Sequence, residues 1–148
     1  MYYVADYSAQ QQGFDYIVTN ANDPYYHNTN LTNGMALSKL VGYEWDAVIN
    51  NGATPNGLVM LSQSPTQPAE FAPIVPPGTN YAISNAVRYV AASGAQVFSS
   101  GSIQFAWGLD SDNVFPARED SRVKQFVINI LGSMGAKPLT PDEGMVVP

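Results

Sequence analysis

The sequence predicts an α/β protein with a layered mixed sheet, a C-terminal strand-helix unit and long loops rich in Asn and Pro. Three observations support this class: short segments rich in β-branched and aromatic residues, one amphipathic helical stripe near the C-terminus, and turn-forming residues between them. The chain has 148 residues, and 45% of them are hydrophobic, which is typical of one folded unit. We therefore expect a single domain over residues 1–148 with its own core.

The N-terminal half contains four predicted strands. The first two, at 2–7 and 14–18, flank a turn, and a structured loop at 20–34 follows because Asn, Asp, Pro and Gly favour turns. The fourth strand, 58–61, is continuously apolar and suits burial on both faces. In the third strand, 40–48, apolar and polar residues alternate, so one face carries Val41, Tyr43 and Trp45 and the other Gly42, Glu44 and Asp46.

The C-terminal half begins with a proline-rich segment, 63–80, that lacks periodicity and is predicted to cross the surface irregularly. A hairpin follows, with strands at 84–91 and 95–107 around a Ser93-Gly94 turn. The residues of the second strand that share a face are Val97, Ile103, Phe105 and Trp107. The small side chains of Ser99 and Gly101 predict a close approach there, and we favour a bulge or a packed helix over a ligand.

One helix is predicted over residues 117–134. Its apolar residues recur at helical spacing and form one stripe that faces the core: Val123, Phe126, Val127, Ile130, Leu131 and Met134. Glu119 and Asp120 lie in the first turn, where the helix dipole favours anions, and Gly135 marks the end. This helix completes the predicted strand-helix unit.

Composition excludes several classes of function. Six Lys and Arg residues against twelve Asp and Glu give a net charge of −6, so the acidic chain offers no basic patch to nucleic acid or to an anionic membrane. Cysteine is absent, which excludes disulfides and thiolate catalysis. No apolar run is long enough for membrane insertion. The abundant Asn, Gln, Ser and Thr residues are typical of extracellular or cell-envelope proteins, although the compartment stays undetermined.

Few residues carry the chemistry of a site. Glu44 and Asp46 project to the same side of a strand and are candidates for general acid and base, but we favour the simpler interpretation that they lie on a solvated strand face. His27, the only histidine, and the adjacent Tyr25 and Tyr26 are candidate binding residues, although aromatic side chains mainly serve packing. No metal-ligand motif, nucleophile elbow or phosphate-binding loop occurs in the sequence.

On five segments the sequence resembles the C-terminal part of the N,N-dimethylformamidase large-subunit family. They are Asp23–Gly34, Leu40–Asp46, Gly57–Ser62, Ser93–Asp110 and the closing helix Val123–Gly135. The resemblance implies a domain related to class I glutamine-amidotransferase-like folds. It also implies hydrolysis of a small amide with iron held by two tyrosines and a glutamate, most of which lie upstream of these segments. Only Glu44 is carried over, as an assisting acid.

Three functions remain open. We favour a non-catalytic subunit, fragment or assembly module without a cofactor, which binds protein partners or copies of itself. The first alternative is a metal-dependent hydrolase of small amides, acting on C–N bonds other than peptide bonds, with Glu44 as acid or base and iron as cofactor. The second is an extracellular carbohydrate-binding module that uses the tyrosine-rich loop. Because the chain is a portion of the family's full length, independent amidase activity is the weaker expectation.

Overall fold

The computed structural model describes residues 2–4, 13–66, 82–110 and 118–148, with residues 2–4 as backbone only. These ranges contain short strands, two 3-10 turns and one α-helix. The strands are β1 (Tyr2–Val4), β2 (Phe14–Ile17), β3 (Ala36–Val41), β4 (Glu44–Asp46), β5 (Val59–Met60), β6 (Ser64–Pro65), β7 (Ile83–Ser84), β8 (Val87–Val90) and β9 (Gln96–Ser99). The 3-10 turns are Pro24–Tyr26 and Phe105–Gly108, and the helix α1 is Ser121–Ser133. No helix within these ranges is both long enough and apolar enough to cross a bilayer.

The strands form small antiparallel sheets: β1 with β4, β2 with β3, β5 with β8 and β9, and β6 with β7. Together with α1 they give the mixed α/β content predicted from the sequence. The strand pairs in the described ranges are all antiparallel, whereas we predicted a mixed sheet. Parallel pairing needs a crossover connection, usually a helix, and α1 follows the last strand and therefore connects none of them.

The β2–β3 ladder contributes a wall of the core. Tyr16 pairs with Leu37, and both side chains are buried. The register shifts along this pair, and Lys39 in β3 adopts φ +58°. Such an irregularity breaks strict alternation, so the consecutive residues Leu40 and Val41 are both buried.

The predicted strand 40–48 is divided in the structure. β3 ends at Val41, and Gly42 and Tyr43 separate it from β4. A Cβ atom at position 42 would overlap the side chain of Gln104, so a neighbouring segment packs directly on the break. Within β4 the predicted alternation is confirmed, because Trp45 is buried whereas Glu44 and Asp46 are half-buried and exposed.

The predicted buried strand 58–61 is shorter and less buried than expected. β5 comprises two half-buried residues, because it lies at the edge of its sheet and pairs with β8 alone. The proline-rich segment was predicted to be irregular, but its first residues form the short strand β6, which pairs with β7. Residues 5–12 and 67–81, which hold most of the first predicted turn and the rest of the proline-rich segment, lie outside the described residues.

The predicted hairpin is confirmed at its turn. β8 and β9 pair on either side of Ser93-Gly94, and Gly94 adopts φ +85°. The predicted strand 84–91 is interrupted, because Asn85 and Ala86 separate β7 from β8.

The second hairpin strand ends at Ser99 rather than at 107. The chain turns at Gly101, which has φ +67°, and a Cβ atom there would overlap the carbonyl of Asn85. The predicted close approach is therefore confirmed, but another backbone segment causes it. Because of this turn Ile103 is exposed while Phe105 is buried, so their predicted common face is wrong.

The helix α1 begins at Ser121 because Asp120 is its N-cap, where the carboxylate accepts the Arg122 amide at 2.9 Å. Fewer of the predicted apolar residues are buried than expected: Val123, Phe126 and Ile130 are buried and Val127 is partly buried. Leu131 and Met134 are exposed by 44% and 42%. The predicted start, 117, lies outside the described residues.

An aromatic cluster joins α1 to the rest of the protein. The Phe126 ring lies 4.7 Å from Tyr26, 5.7 Å from Phe98, 5.9 Å from Phe105 and 6.1 Å from Tyr25, measured between ring centroids. Most of these contacts are edge-to-face, which is a favourable arrangement for aromatic pairs. Phe126 of α1 therefore packs against aromatic rings from both the N-terminal and the C-terminal half of the chain.

Candidate functional site around Glu44

The strand β4 presents the two candidate carboxylates. It pairs with β1 through the register Tyr3 with Trp45. On its other side the Asp46 amide donates to Gly101 O at 3.0 Å, and the Ile103 amide donates to Glu44 O at 3.2 Å. The buried Trp45 side chain fixes the strand, so its neighbours in sequence point away from the core.

Glu44 and Asp46 line an open hollow of about 250 Å³. The rest of its wall is Trp45, the last residue of β9 and the serine-rich turn that follows, residues 100–103. Two carboxylates and several hydroxyl groups therefore share one small polar cavity. Such a set can accept hydrogen bonds from a polar ligand and exchange protons with it.

The serine hydroxyls around this hollow hold the backbone in place. Ser102 Oγ donates to Leu40 O at 2.8 Å and accepts from the Gly42 amide at 2.9 Å. Ser100 Oγ donates to Ser102 O at 3.1 Å. Among the described residues, no serine hydroxyl is hydrogen-bonded to Glu44, so the pairing of nucleophile and base that covalent catalysis needs is not formed there.

Tyr25, Tyr26 and His27 lie in a different part of the molecule and do not line the hollow of Glu44. The first two belong to the 3-10 turn and are 4% and 3% exposed, so both rings belong to the core. A sugar could not stack on these rings without opening the core. His27 is exposed, and its carbonyl accepts a hydrogen bond from Asn129 Nδ2 at 2.6 Å.

A buried ion pair fixes the Asn-rich loop against β8. The Asp23 carboxylate, with its side chain only 2% exposed, accepts from Arg88 Nε at 2.8 Å, and the Arg88 NH2 group lies 2.7 Å from the same oxygen. The other Asp23 oxygen accepts the Tyr25 amide at 3.1 Å, and the Arg88 guanidinium lies 5.3 Å from the Tyr25 ring centroid. Because Asp23 bonds directly to Arg88, the pKa of Arg88 rises above its usual value.

Two buried tyrosines meet at their hydroxyl groups. Tyr16 Oη and Tyr26 Oη are 2.8 Å apart, and Tyr26 Oη donates to Leu61 O at 2.9 Å. Burial raises the pKa of Tyr16 to about 12 and raises the pKa of Tyr26 well above its ordinary range. Both groups are therefore held as neutral phenols.

These two tyrosines do not fit the iron site that the family resemblance implies. A ferric ion is bound by phenolate oxygen, whereas these two buried hydroxyl groups are hydrogen-bonded to each other and to Leu61 O. The nearby carboxylate of Asp23 is already neutralised by Arg88. Groups of three or more His, Asp or Glu side chains with metal-binding geometry are absent from the described part of the chain.

A buried polar ladder on α1 was not predicted from the sequence. Asn129 Nδ2 donates to the carbonyls of Tyr25 (3.0 Å) and His27 (2.6 Å), and Asn129 Oδ1 accepts from Gln125 Nε2 at 2.9 Å. Gln125 in turn exchanges two hydrogen bonds with the backbone of Val146, at 2.7 and 2.8 Å. The available signal was the spacing of Gln125 and Asn129, which lie four residues apart beside the apolar stripe and so share one helix edge.

The comparisons with known proteins agree with this reading at the level of family. The family model described as N,N-dimethylformamidase beta subunit-like, C-terminal matches residues 2–120. The matched region contains the hollow of Glu44 and the tyrosine pair but ends before α1, which we had counted among the resembling segments. A search of curated proteins gave no match. Since the matched region covers most of the chain, the protein belongs to the family of N,N-dimethylformamidase beta subunit-like C-terminal domains.

Proposed function

We propose that this protein is a non-catalytic module of a larger dimethylformamidase-like assembly and that its role is to bind protein partners or further copies of itself. The supporting observation is the separation of its reactive groups. Glu44 lies in an open hollow with serines, whereas the paired tyrosines are buried, neutral and hydrogen-bonded. Amide hydrolysis with a metal needs a metal ligand set and an acid or base at one place.

In this proposal the module carries no resident metal. It contributes its antiparallel sheets to a larger layered body of the glutamine-amidotransferase-like kind, whose other parts come from the rest of the assembly. The net charge of −6 supports partners other than nucleic acid, because a chain with few cations releases few counterions from phosphates.

The test is an assay of the purified full chain with N,N-dimethylformamide, in which released dimethylamine is measured. We expect no release above the buffer rate, with or without added ferrous or ferric ion, and substoichiometric bound iron. Dimethylamine release together with one iron per chain would overturn the proposal. A chain that is inactive alone but raises the activity of its assembly would support it.

The second candidate is a hydrolase of small amides, and it is favoured by the presence of Glu44 and several serine hydroxyl groups around one cavity of about 250 Å³. In that case Glu44→Gln removes the proton donor and lowers the rate at least about 100-fold. Glu143→Gln is the matched control, because Glu143 is an exposed glutamate on the C-terminal segment. Equal activity in both variants and the parent excludes Glu44 as the acid.

A further inference from the structure

The outer side of α1 carries an apolar groove that the core does not fill. Its volume is about 540 Å³, which lies within the range of small-molecule pockets and is ample for an apolar side chain. Val127, Ile128 and Leu131 form its floor, and Pro138 and Met145 of the C-terminal segment form its far wall. The groove therefore lies between the helix and the segment that returns along it.

The groove is preformed, because the C-terminal segment is fastened at several points. Gln125 holds the Val146 backbone by two hydrogen bonds, as described above. Lys124 Nζ bonds Asp142 Oδ2 at 2.9 Å and also pairs with Glu119. At the end of the chain Pro148 lies against Gly132, where a Cβ atom would overlap its ring.

A leucine beside this groove has no apolar neighbour of its own. Leu139 is 99% exposed, although the residues on both sides of it, Pro138 and Thr140, line the groove. The chain bends at Leu139 and Thr140, and the exposure of Leu139 shows that its side chain points to solvent and not into its own groove. One apolar side chain and one empty apolar pocket of suitable size therefore lie next to each other on the same surface.

We propose that the occupant of this groove is Leu139 of a second copy of the chain, in a two-fold dimer in which each copy inserts its leucine into the groove of the other. A two-fold interface uses the same patch on both subunits. A patch that contains both a protruding leucine and an apolar groove next to it can therefore bind a second copy of itself. This inference rests on the proposed function and specifies how such a module assembles with itself.

The charges around Leu139 suit the same arrangement. Lys137 precedes it and Glu143 follows it, both exposed and without an ion pair to any described residue. If the two segments run antiparallel across the two-fold axis, the lysine of one copy approaches the glutamate of the other. Opposite charges at the edge of an apolar contact favour one orientation of the pair.

The test is light scattering coupled to size-exclusion chromatography on the full chain, over about 1 to 100 μM, a range suited to a modest apolar interface. We expect a concentration-dependent dimer. Leu139→Ala should raise the dissociation constant at least about 30-fold, since a buried leucine is withdrawn from each groove, and Leu139→Asp should give a monomer. Neither variant should lower stability, because the side chain is 99% exposed.

Val90→Asp is the matched control, because Val90 is an exposed apolar residue, 54% accessible, on β8 and not in the groove. It should leave the dimer intact. Lys137→Glu should weaken the dimer, and Lys137→Glu combined with Glu143→Lys should restore it. A chain that is monomeric throughout this range, or a dimer that Leu139→Asp does not change, would overturn the inference. If such a monomer still joins a dimethylformamidase-like assembly, the proposed function stands and only the self-association fails.

Discussion

Breaking the ion pair between Asp23 and Arg88 should cost far more stability than breaking any other ion pair in the described residues. Arg88→Met removes the cation and leaves a carboxylate whose side chain is only 2% exposed. Removing one partner of a buried pair costs about 3–5 kcal/mol, and we expect the lower end because Arg88 itself is 25% exposed and water can enter its place. The loss of the contact between the guanidinium and the Tyr25 ring adds about 0.5–1 kcal/mol. With about 3 kcal/mol for the broken pair, the expected total is about 3.5–4 kcal/mol.

Urea unfolding at pH 7, with the free energy of unfolding extrapolated to water, measures this loss. The matched control is Arg122→Met, because Arg122 and Asp120 also form a pair but are 38% and 21% exposed. That variant should lose less than about 1 kcal/mol. The double variant Asp23→Asn with Arg88→Met should recover part of the loss, since it leaves no buried charge. Equal losses in Arg88→Met and Arg122→Met would refute the reasoning.

Three further predictions concern the core and the turn beneath the candidate site. Phe126→Ala should lower the free energy of unfolding by about 3–5 kcal/mol, because it removes the ring that the other aromatic side chains contact. The control Leu131→Ala, at a side chain 44% exposed, should lower it by less than about 1 kcal/mol. Equal losses in the two variants would contradict the assignment of Phe126 to the core. Because burial raises the pKa of Tyr16 to about 12 from 10.0, the neutral form is favoured in the folded protein. The stability that the folded protein gains from holding the Tyr16 hydroxyl protonated should be fully present below pH 10 and should be lost as the pH rises toward 12. A midpoint of urea unfolding that stays constant between pH 10 and 12 would contradict this prediction. Gly101→Ala should lower the free energy of unfolding by more than about 2 kcal/mol in the same assay, because the residue has φ +67° and a Cβ atom would overlap the Asn85 carbonyl. An unchanged midpoint would show that the turn accommodates the added methyl group.

The elements that could be predicted from the sequence are those whose signal is local. The Ser93-Gly94 hairpin, the alternation around Trp45 and the helical stripe that contains Phe126 each follow from side-chain periodicity or turn chemistry. The errors arose where distant segments meet. The strand that ends at Ser99 stops because Gly101 packs on the backbone of Asn85. The small residues of the strand indicate a close approach, but nothing in the strand identifies the distant segment that makes it.

The candidate site was predictable only as a strand face. The alternation in β4 placed Glu44 and Asp46 opposite Trp45, and the structure agrees. That a serine-rich turn would complete a hollow beside them depends on the bridge between Trp45 and Ser102, which joins segments more than fifty residues apart. The pairing of Asp23 with Arg88 joins residues equally distant in sequence and has no local signal for the same reason. Tyr16 and Tyr26 are only ten residues apart, but their hydroxyl contact depends on how the loop after β2 folds back, which side-chain periodicity does not encode.

The position of α1 determines where a truncated form of this protein can end. The portion recognisable as a family member stops at residue 120, yet the phenylalanine that seals the aromatic cluster is Phe126. A truncated chain that ends at residue 120 would expose the rings of Phe98 and Phe105 to water. We expect such a chain to aggregate, because these rings would form an exposed apolar patch. The end of the matched region and the end of the aromatic cluster therefore differ in this protein, and a chain prepared for experiments should extend through α1.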